Sequence, residues 1–173
     1  MGILKYMIAE GKRPRVTCYL YDKETAWGES WSDLGEKLDT QLRIQPSFQA
    51  VDVTDERSWK KHSKYLDTHL VTMIYFMSEI YGHSGAHKFE HLFRSAKPDT
   101  VFLFLDNNLP DVYGWFDALV GAAGIRTLRG IDSRRMVTTA DEEKTDLEPY
   151  RTKFGMEPRL EGWTAYRVGV KVS

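Results

Sequence analysis

The sequence predicts a single α/β domain in which helices cover both faces of a mostly parallel sheet. Three observations predict this class. Short runs rich in β-forming residues alternate with stretches of helical periodicity, as parallel βαβ units require. The strand-like runs end in polar side chains, which is typical of the ligand-binding edge of an open α/β sheet. The last run follows a loop without an intervening helix, so we expect a C-terminal antiparallel strand.

Composition and charge exclude several classes of function. The chain has 173 residues, 42% of them hydrophobic and 28% charged, and its formal net charge of −1 gives no overall field that favours nucleic acid or an acidic membrane. The single cysteine, Cys18, excludes an internal disulfide and fits a reducing compartment, and we interpret it as a packed thiol. No apolar run reaches the roughly 18 residues that span a bilayer. Because Lys5 and Glu10 interrupt any signal-peptide core, we expect a cytosolic protein.

The first half of the chain predicts two helices and two strands. Apolar side chains at helical spacing predict a helix over residues 2–10, within a leading segment of residues 1–13 that precedes an α/β core of residues 14–173. A run of β-forming residues predicts a buried strand over 15–21. One apolar stripe predicts a helix over 27–42. The remainder is predicted as a short strand over 48–53 and a charged, helical or irregular stretch over 56–68.

The second half predicts four strands and two helices. Its longest apolar run, Leu70–Met77, predicts a central strand buried on both faces. The run Thr100–Leu105 is the clearest strand of the chain. The remaining segments are helices over 84–96 and 113–123, two weaker strands over 126–131 and 162–172, and a charged stretch over 141–153.

Polar residues follow four of these runs at the edge where such a sheet places its ligand. The pieces that carry the pattern are Tyr-Leu-Tyr-Asp22, Phe-Gln-Ala-Val-Asp52-Val-Thr, Val-Thr-Met-Ile-Tyr75-Phe-Met-Ser-Glu79, Thr-Val-Phe-Leu-Phe-Leu-Asp106 and the closing strand Trp163-Thr-Ala-Tyr-Arg-Val-Gly-Val-Lys171. Their order and spacing resemble the class I S-adenosylmethionine-dependent methyltransferases, a Rossmann-like family, from its second strand to its final antiparallel hairpin. The resemblance covers most of the chain, although each motif alone is degenerate.

The resemblance implies a site for S-adenosylmethionine. Asp22 would accept hydrogen bonds from the ribose hydroxyls. Asp52 would accept the adenine amino proton, and Val53 would pack on the adenine ring. Tyr75, after the long apolar strand, would face the transferring methyl group and the acceptor.

The resemblance also implies an acceptor site. Ser78 and Glu79 would face the acceptor with Tyr75, and Asp106 and Asn107 would border its pocket, with Glu79 or Asp106 as a general base. The residues also have structural interpretations, which the sequence leaves open. Aspartates at strand ends form turns, Asp106 and Asn107 can cap the next helix, and Glu79 can stabilise a helix N-terminus.

One departure from the family makes methyl transfer by this chain doubtful. The family's first strand and glycine-rich cofactor loop would lie upstream of residue 1, and the opening helix resembles the helix that follows this loop. An internal start or splice product, a fragment, or a protein that has lost the loop would each explain the departure. Because the missing strand is central in the family, we expect the strands over 15–21 and 70–77 to pair directly or a homodimer to cover their edges.

Two functions remain open from the sequence. One is methyl transfer from S-adenosylmethionine to a small-molecule or macromolecular acceptor. The other is a non-catalytic scaffold of the same fold that acts by dimerisation or partner binding. The acids at several strand ends favour the first, and the missing loop favours the second.

Two further clusters are interpreted as structural. His83, His87 and His91 share a helical spacing that could hold a transition metal, but this spacing matches no known ligand motif, and we predict a helix face without a metal. A basic cluster late in the chain lacks the interleaved aromatic residues of a single-strand binder, so we do not expect nucleic acid as a partner. We expect the acids at 141–143 and 146 to neutralise this cluster, which comprises Arg126, Arg129, Arg134 and Arg135.

Overall fold

The described part of the chain forms two compact units, Met1–Tyr65 and Leu66–Ser173, each with its own sheet. Strands and helices alternate along the chain in both units, which confirms the predicted α/β class. None of the described helices is long and apolar enough to cross a bilayer. The structure is a computed structural model that describes residues 2–12, 15–37, 43–55, 57–58, 61–83, 89–137, 148, 152–153, 155 and 161–172.

The first unit contains a two-stranded parallel sheet. Strands β1 (Arg15–Asp22) and β2 (Arg43–Ala50) pair over their full lengths, with Arg15 opposite Arg43 and Asp22 opposite Ala50. Cys18 is half-buried in β1, and burial raises the pKa of its thiol, which fits the packed thiol predicted from the sequence. The elements of this unit are α1 (Gly2–Ala9), β1 (Arg15–Asp22), α2 (Trp27–Lys37) and β2 (Arg43–Ala50).

Two predicted boundaries in the first unit differ from the structure. The strand predicted over 48–53 is β2, which begins five residues earlier because its pairing with the eight residues of β1 sets its length. The sequence did not predict the first residues of β2 because they include Pro46. Proline disfavours central strands but is tolerated at a sheet edge. The helix predicted over 27–42 is confirmed over Trp27–Lys37, and residues 38–42 lie outside the described residues.

The second unit contains a mixed four-stranded sheet whose strands are, in spatial order, β3 (Leu70–Ile74), β4 (Val101–Asn107), β6 (Glu161–Lys171) and β5 (Ile125–Val137). Strands β3 and β4 are parallel, with Ile74 opposite Leu105, and β6 runs antiparallel to both β4 and β5. The predicted antiparallel strand at the end is therefore confirmed. After a 3₁₀ turn (Lys64–Asp67), the elements are β3 (Leu70–Ile74), α3 (Met77–Ile80), α4 (Glu90–Ser95), β4 (Val101–Asn107), α5 (Pro110–Ala122), β5 (Ile125–Val137) and β6 (Glu161–Lys171).

The prediction that Leu70–Met77 forms a central strand buried on both faces is wrong. Only Leu70–Ile74 is a strand, and it lies at one end of the described four-stranded sheet. The strand ends because Tyr75 adopts a positive φ of 52°, which extended structure does not allow. Met77 is fully buried, but it is buried as the first residue of α3. Strands β1 and β3 belong to separate sheets.

The two faces of the four-stranded sheet differ in burial. Phe102, Phe104 and Asp106 of β4 lie on what we call the helix-covered face, and all three are 0% exposed. The aromatic core forms here, because Phe93 of α4 contacts Phe102 and Phe116 of α5 stacks on Phe104, with ring centroids 5.3 and 4.6 Å apart. The alternate residues of β4 lie on the opposite face, which we call the open face, and are half-buried.

The β5–β6 ribbon is longer than predicted. Strand β5 runs over Ile125–Val137 instead of 126–131. Its pairing with β6 contains two register shifts, at Thr127/Arg129 and Ile131/Arg134, and these interrupt the regular pattern that would have predicted one long strand. The ribbon continues past the end of β4, because Asn107 is the last β4 residue paired with β6 while β5 pairs on to Glu161. The charged stretch predicted over 141–153 lies outside the described residues, apart from 148 and 152–153.

Candidate functional site

Asp22 is the last residue of β1, and its carboxylate is exposed. Its Oδ1 accepts the backbone N–H of Glu24 at 2.9 Å, which is an Asx turn. Its backbone carbonyl accepts the N–H of Val51 at 2.9 Å, so the chain beyond β2 is tied to the end of β1. The Oδ2 atom of Asp22 forms no hydrogen bond with a described residue, and it remains able to accept one from a ligand hydroxyl.

Asp52 and Val53 lie in the turn that follows β2. The Oδ1 atom of Asp52 accepts both the N–H and the hydroxyl of Thr54, at 2.9 and 2.7 Å, and the Asp52 N–H donates to the hydroxyl of Ser58 at 3.1 Å. Asp52 is exposed and Val53 is half-buried, whereas Val51 beside them is only 3% exposed. The turn is thus anchored by Val51 and presents an acid and an apolar side chain at the carboxyl end of the parallel pair.

A small aromatic cluster supports this end of the first sheet. The ring of Tyr21 lies edge-on to that of Tyr65, and the ring of His62 is tilted against it, with both centroid distances at 6.1 Å. Burial, together with Tyr19 and Tyr65, raises the pKa of Tyr21 above its ordinary value. Tyr21 is therefore a neutral packing residue at physiological pH, directly before Asp22.

In the second unit, Tyr75 links β3 to α3. It combines a positive φ of 52° with a 2.8 Å hydrogen bond from its N–H to the carbonyl of Leu105. Its side chain is 46% exposed. The sharp change of direction at Tyr75 brings α3 against the end of β4, where Asp106 lies.

Asp106 is held by two backbone groups. Its Oδ2 accepts the N–H of Ser78 at 3.0 Å and its Oδ1 accepts the N–H of Asn107 at 2.8 Å, while the side chain is 0% exposed. Asp106 also lies within β4, whereas the sequence placed it after the strand. In this arrangement the carboxylate fixes the start of α3, and the hydroxyl of Ser78 is buried without a partner among the described residues.

Glu79 is the second of the predicted acids in this unit, and it is exposed on α3. Its backbone N–H donates to the carbonyl of Phe76 at 3.1 Å. The structure brings Tyr75, Glu79 and Asp106 together around one strand-to-helix turn, and it brings Asp22, Asp52 and Val53 together at the end of the other sheet. Of the two predicted bases, Glu79 is the one that solvent reaches.

The sequence did not single out Arg167, which forms the most extensive polar network of the described second unit. Its guanidinium makes a bidentate pair with Asp117, contacts Asp132 at 2.7 Å and lies 5.0 Å from the ring centroid of Tyr113. Burial alone lowers the pKa of Arg167, but hydrogen bonds and charges from both aspartates raise it above its ordinary value. The one signal in the sequence is an arginine among the apolar residues of β6.

The described histidines form no metal centre. No group of three or more His, Cys, Asp or Glu side chains among the described residues is arranged to hold a metal ion. His83 is exposed, and His91 is exposed with its Nδ1 3.0 Å from the hydroxyl of Ser95. His87, the middle residue of the predicted stripe, lies outside the described residues.

Solved structures that share this fold include two candidate methyltransferases. A candidate methyltransferase from Thermoplasma acidophilum matches with a TM-score of 0.55 at 15% identity, over 99% of this chain and 64% of its own length. A candidate methyltransferase from Bacillus halodurans matches with a TM-score of 0.57 at 13% identity, over 99% of this chain and 89% of its own. No protein-family model and no curated protein sequence matches this chain.

The chain is therefore an α/β protein with a Rossmann-like sheet. Its fold is that of the two methyltransferase-like structures, which confirms the resemblance inferred from the sequence. It spans 64% of the length of the Thermoplasma protein.

The strained backbone at Tyr75 gives a first prediction. A β-branched residue tolerates a positive φ poorly and glycine tolerates it well. We expect Tyr75→Val to lower the free energy of unfolding by about 1–2 kcal/mol, and Tyr75→Gly to change it by less than about 0.5 kcal/mol. Urea unfolding followed by circular dichroism measures both values. A valine variant as stable as the wild type would mean that the positive φ is absent in solution.

Proposed function

We propose that this protein is an S-adenosylmethionine-dependent methyltransferase whose first unit binds the nucleoside part of that molecule. The observation that carries the proposal is the exposed, partly unengaged carboxylate of Asp22 beside the Asp52 turn, at the carboxyl end of a parallel pair in a methyltransferase fold. Ligands of open α/β sheets bind at this edge.

The residues of the first unit fit a nucleoside chemically. Asp22 offers Oδ2 to a ribose hydroxyl, while the N–H of Glu24 holds its other oxygen and fixes the carboxylate plane. Asp52, oriented by Thr54, would accept the adenine amino group. The half-buried Val53 would pack against the base. An acid before an apolar side chain suits adenine, which has a polar edge and an apolar face.

The second unit supplies the residues proposed for the acceptor. S-adenosylmethionine supplies an activated methyl group, so the protein has mainly to align the acceptor with it. Glu79 is exposed and would take the acceptor proton as a general base. Tyr75, in the same turn, would face the acceptor. Asp106 would act through Ser78 by fixing the start of α3, which carries Glu79. The acceptor is a small molecule or a macromolecule.

Isothermal titration with S-adenosylhomocysteine tests the nucleoside site. We expect the protein to bind it with a micromolar Kd, and Asp22→Ala or Asp52→Ala to weaken binding about tenfold or more, because each removes a charged hydrogen-bond acceptor. Asp55→Ala is the matched control, since Asp55 is an exposed acid of the same loop whose Oδ1 accepts the N–H of Arg57. An equal loss in the control, or binding unaffected by the two variants, would contradict the site.

A second candidate is a non-catalytic scaffold of the same fold, acting by dimerisation or partner binding. It is supported by Asp106, whose two carboxylate oxygens both accept backbone N–H groups while the side chain is fully buried, as in a purely structural cap. Homodimerisation would also cover the outer edge of β3. No heat at millimolar S-adenosylhomocysteine would favour this candidate, and sedimentation velocity would measure the dimer.

A further inference from the structure

Two hydroxyl side chains hold the exposed Asp52 in the turn after β2. The Oδ1 atom of Asp52 accepts the N–H of Thr54 at 2.9 Å and the hydroxyl of the same residue at 2.7 Å. The N–H of Asp52 donates to the hydroxyl of Ser58 at 3.1 Å. Thr54 therefore restrains the carboxylate of Asp52, and Ser58 restrains its backbone.

The hydrogen bonds from Thr54 restrict a torsion that is ordinarily broad. The last torsion of an aspartate side chain has no sharp staggered minima, so an exposed carboxylate normally turns in water. Here two donors of one residue converge on a single oxygen of Asp52. Because Oδ1 is fixed in this way, the position of Oδ2 is fixed as well.

We infer that Thr54 is a positioning residue that sets which nucleobase the site accepts, an inference that rests on the proposed contact between Asp52 and the base. The two donors of Thr54 require an oxygen at the Oδ1 position. The other side-chain atom at position 52 is then the one that faces the base. In the wild type this atom is a carboxylate oxygen, which only accepts hydrogen bonds, so the base has to donate.

Adenine and hypoxanthine differ in the group that they present to this oxygen. Adenine carries an exocyclic amino group, which donates. Hypoxanthine has a carbonyl oxygen in its place, which repels a carboxylate, and it carries an N–H on the neighbouring ring nitrogen. A carboxylate that turns can accept this ring N–H, whereas a fixed carboxylate stays opposite the carbonyl oxygen. The preference for adenine over hypoxanthine therefore reports how firmly Thr54 holds Asp52.

Isothermal titration with S-adenosylhomocysteine and S-inosylhomocysteine measures this preference. We expect the wild type to bind the adenosyl compound at least about tenfold more tightly. Thr54→Val removes the hydroxyl but keeps the branched shape, and we expect the preference to fall to within about threefold. Thr54→Ser keeps the hydroxyl and is expected to retain the preference. The matched control is Thr17→Val, the same chemical change at an exposed position in the first half of β1, which is expected to behave like the wild type.

An amide at position 52 tests the orientation directly. Asp52→Asn keeps the shape of the side chain, and the two donors of Thr54 direct the amide oxygen to the Oδ1 position. The amide nitrogen then takes the place of Oδ2 and donates, so the base has to accept. We expect the preference to invert, with S-inosylhomocysteine bound at least about threefold more tightly than S-adenosylhomocysteine. Asp55→Asn removes a charge from the same loop and is expected to keep the adenosyl preference.

Three results would overturn the inference while S-adenosylhomocysteine still binds. Equal weakening of both ligands by Thr54→Val would show that Thr54 acts only on the stability of the turn. A wild type that binds both ligands alike would show that Asp52 does not distinguish the bases. An adenosyl preference that survives Asp52→Asn would show that Thr54 does not orient the side chain. Circular dichroism checks that each variant remains folded. Absence of any binding by the wild type would instead contradict the proposed function, and the inference would fall with it.

Discussion

Phe93→Ala is expected to lower the free energy of unfolding by about 3–5 kcal/mol. Phe93 is 0% exposed and lies at the centre of the helix-covered face. Its ring lies perpendicular to that of Phe89 and nearly so to that of Phe116, with centroids 5.1 and 5.7 Å away, and it is tilted against Phe102 at 5.3 Å. Truncation to alanine removes contacts with three rings at once and leaves a cavity that rigid strands cannot close.

Chemical denaturation followed by circular dichroism measures this effect. Phe93→Leu keeps most of the volume and is expected to cost about 1 kcal/mol. Tyr81→Ala is the control, because Tyr81 is also aromatic but is 44% exposed, with its ring 5.6 Å from that of Trp115, and it is expected to cost about 1 kcal/mol or less. A Phe93→Ala variant no less stable than Tyr81→Ala would mean that the aromatic cluster is not the core of this unit.

The elements that could be predicted from the sequence are those with a strong local pattern. Strand β4 was predicted because residues 100–105 are β-forming and mostly apolar. The antiparallel direction of the C-terminal strand β6 was predicted from the absence of a helix before it. In both cases the local propensity and the final position of the strand agree.

The errors arose where tertiary structure overrides a local pattern. Leu70–Met77 is a mostly apolar run, but a positive φ at Tyr75 divides it into a strand and the start of a helix. Tyrosine is not a residue type that predicts a turn, so the sequence did not indicate this break. Strand β5 was predicted too short because two register shifts break its period of two. Edge position and bulges depend on strand pairing, which the sequence of one strand does not specify.

The candidate site could be predicted in position but not in geometry. Asp22 and Asp52 lie at the strand-end turns where the sequence placed them. Asp106 was expected to border an acceptor pocket, and its engagement by the N–H groups of Ser78 and Asn107 depends on a contact across 28 residues of sequence. The role of Arg167 was missed for the same reason, since its partner Asp117 is 50 residues away.

Asp117→Ala is expected to lower the free energy of unfolding by about 2–4 kcal/mol, although Asp117 itself is partly exposed. The guanidinium of Arg167 is buried, and Asp117 supplies three of its short contacts, at 2.9, 3.2 and 2.9 Å. Without Asp117 the partners that the buried cation keeps among the described residues are Asp132, the carbonyl of Tyr166 and the face of the Tyr113 ring. A buried charge that loses its main partner destabilises the fold more than the pair itself stabilises it.

Replacing Arg167 itself separates the effect of an unpaired cation from that of the ion pair. Arg167→Met removes the cation and keeps an apolar side chain of similar length, and the carboxylates that remain are 42% and 68% exposed, so water can solvate them. We therefore expect Arg167→Met to cost about 1 kcal/mol, less than Asp117→Ala. Asp111→Ala, an exposed acid in the first turn of the same helix, is the control and is expected to change stability by less than about 0.5 kcal/mol. Denaturant titration of the three variants orders them. If Arg167→Met proved the more destabilising, the buried ion pair itself, and not the cost of an unpaired cation, would dominate at this position.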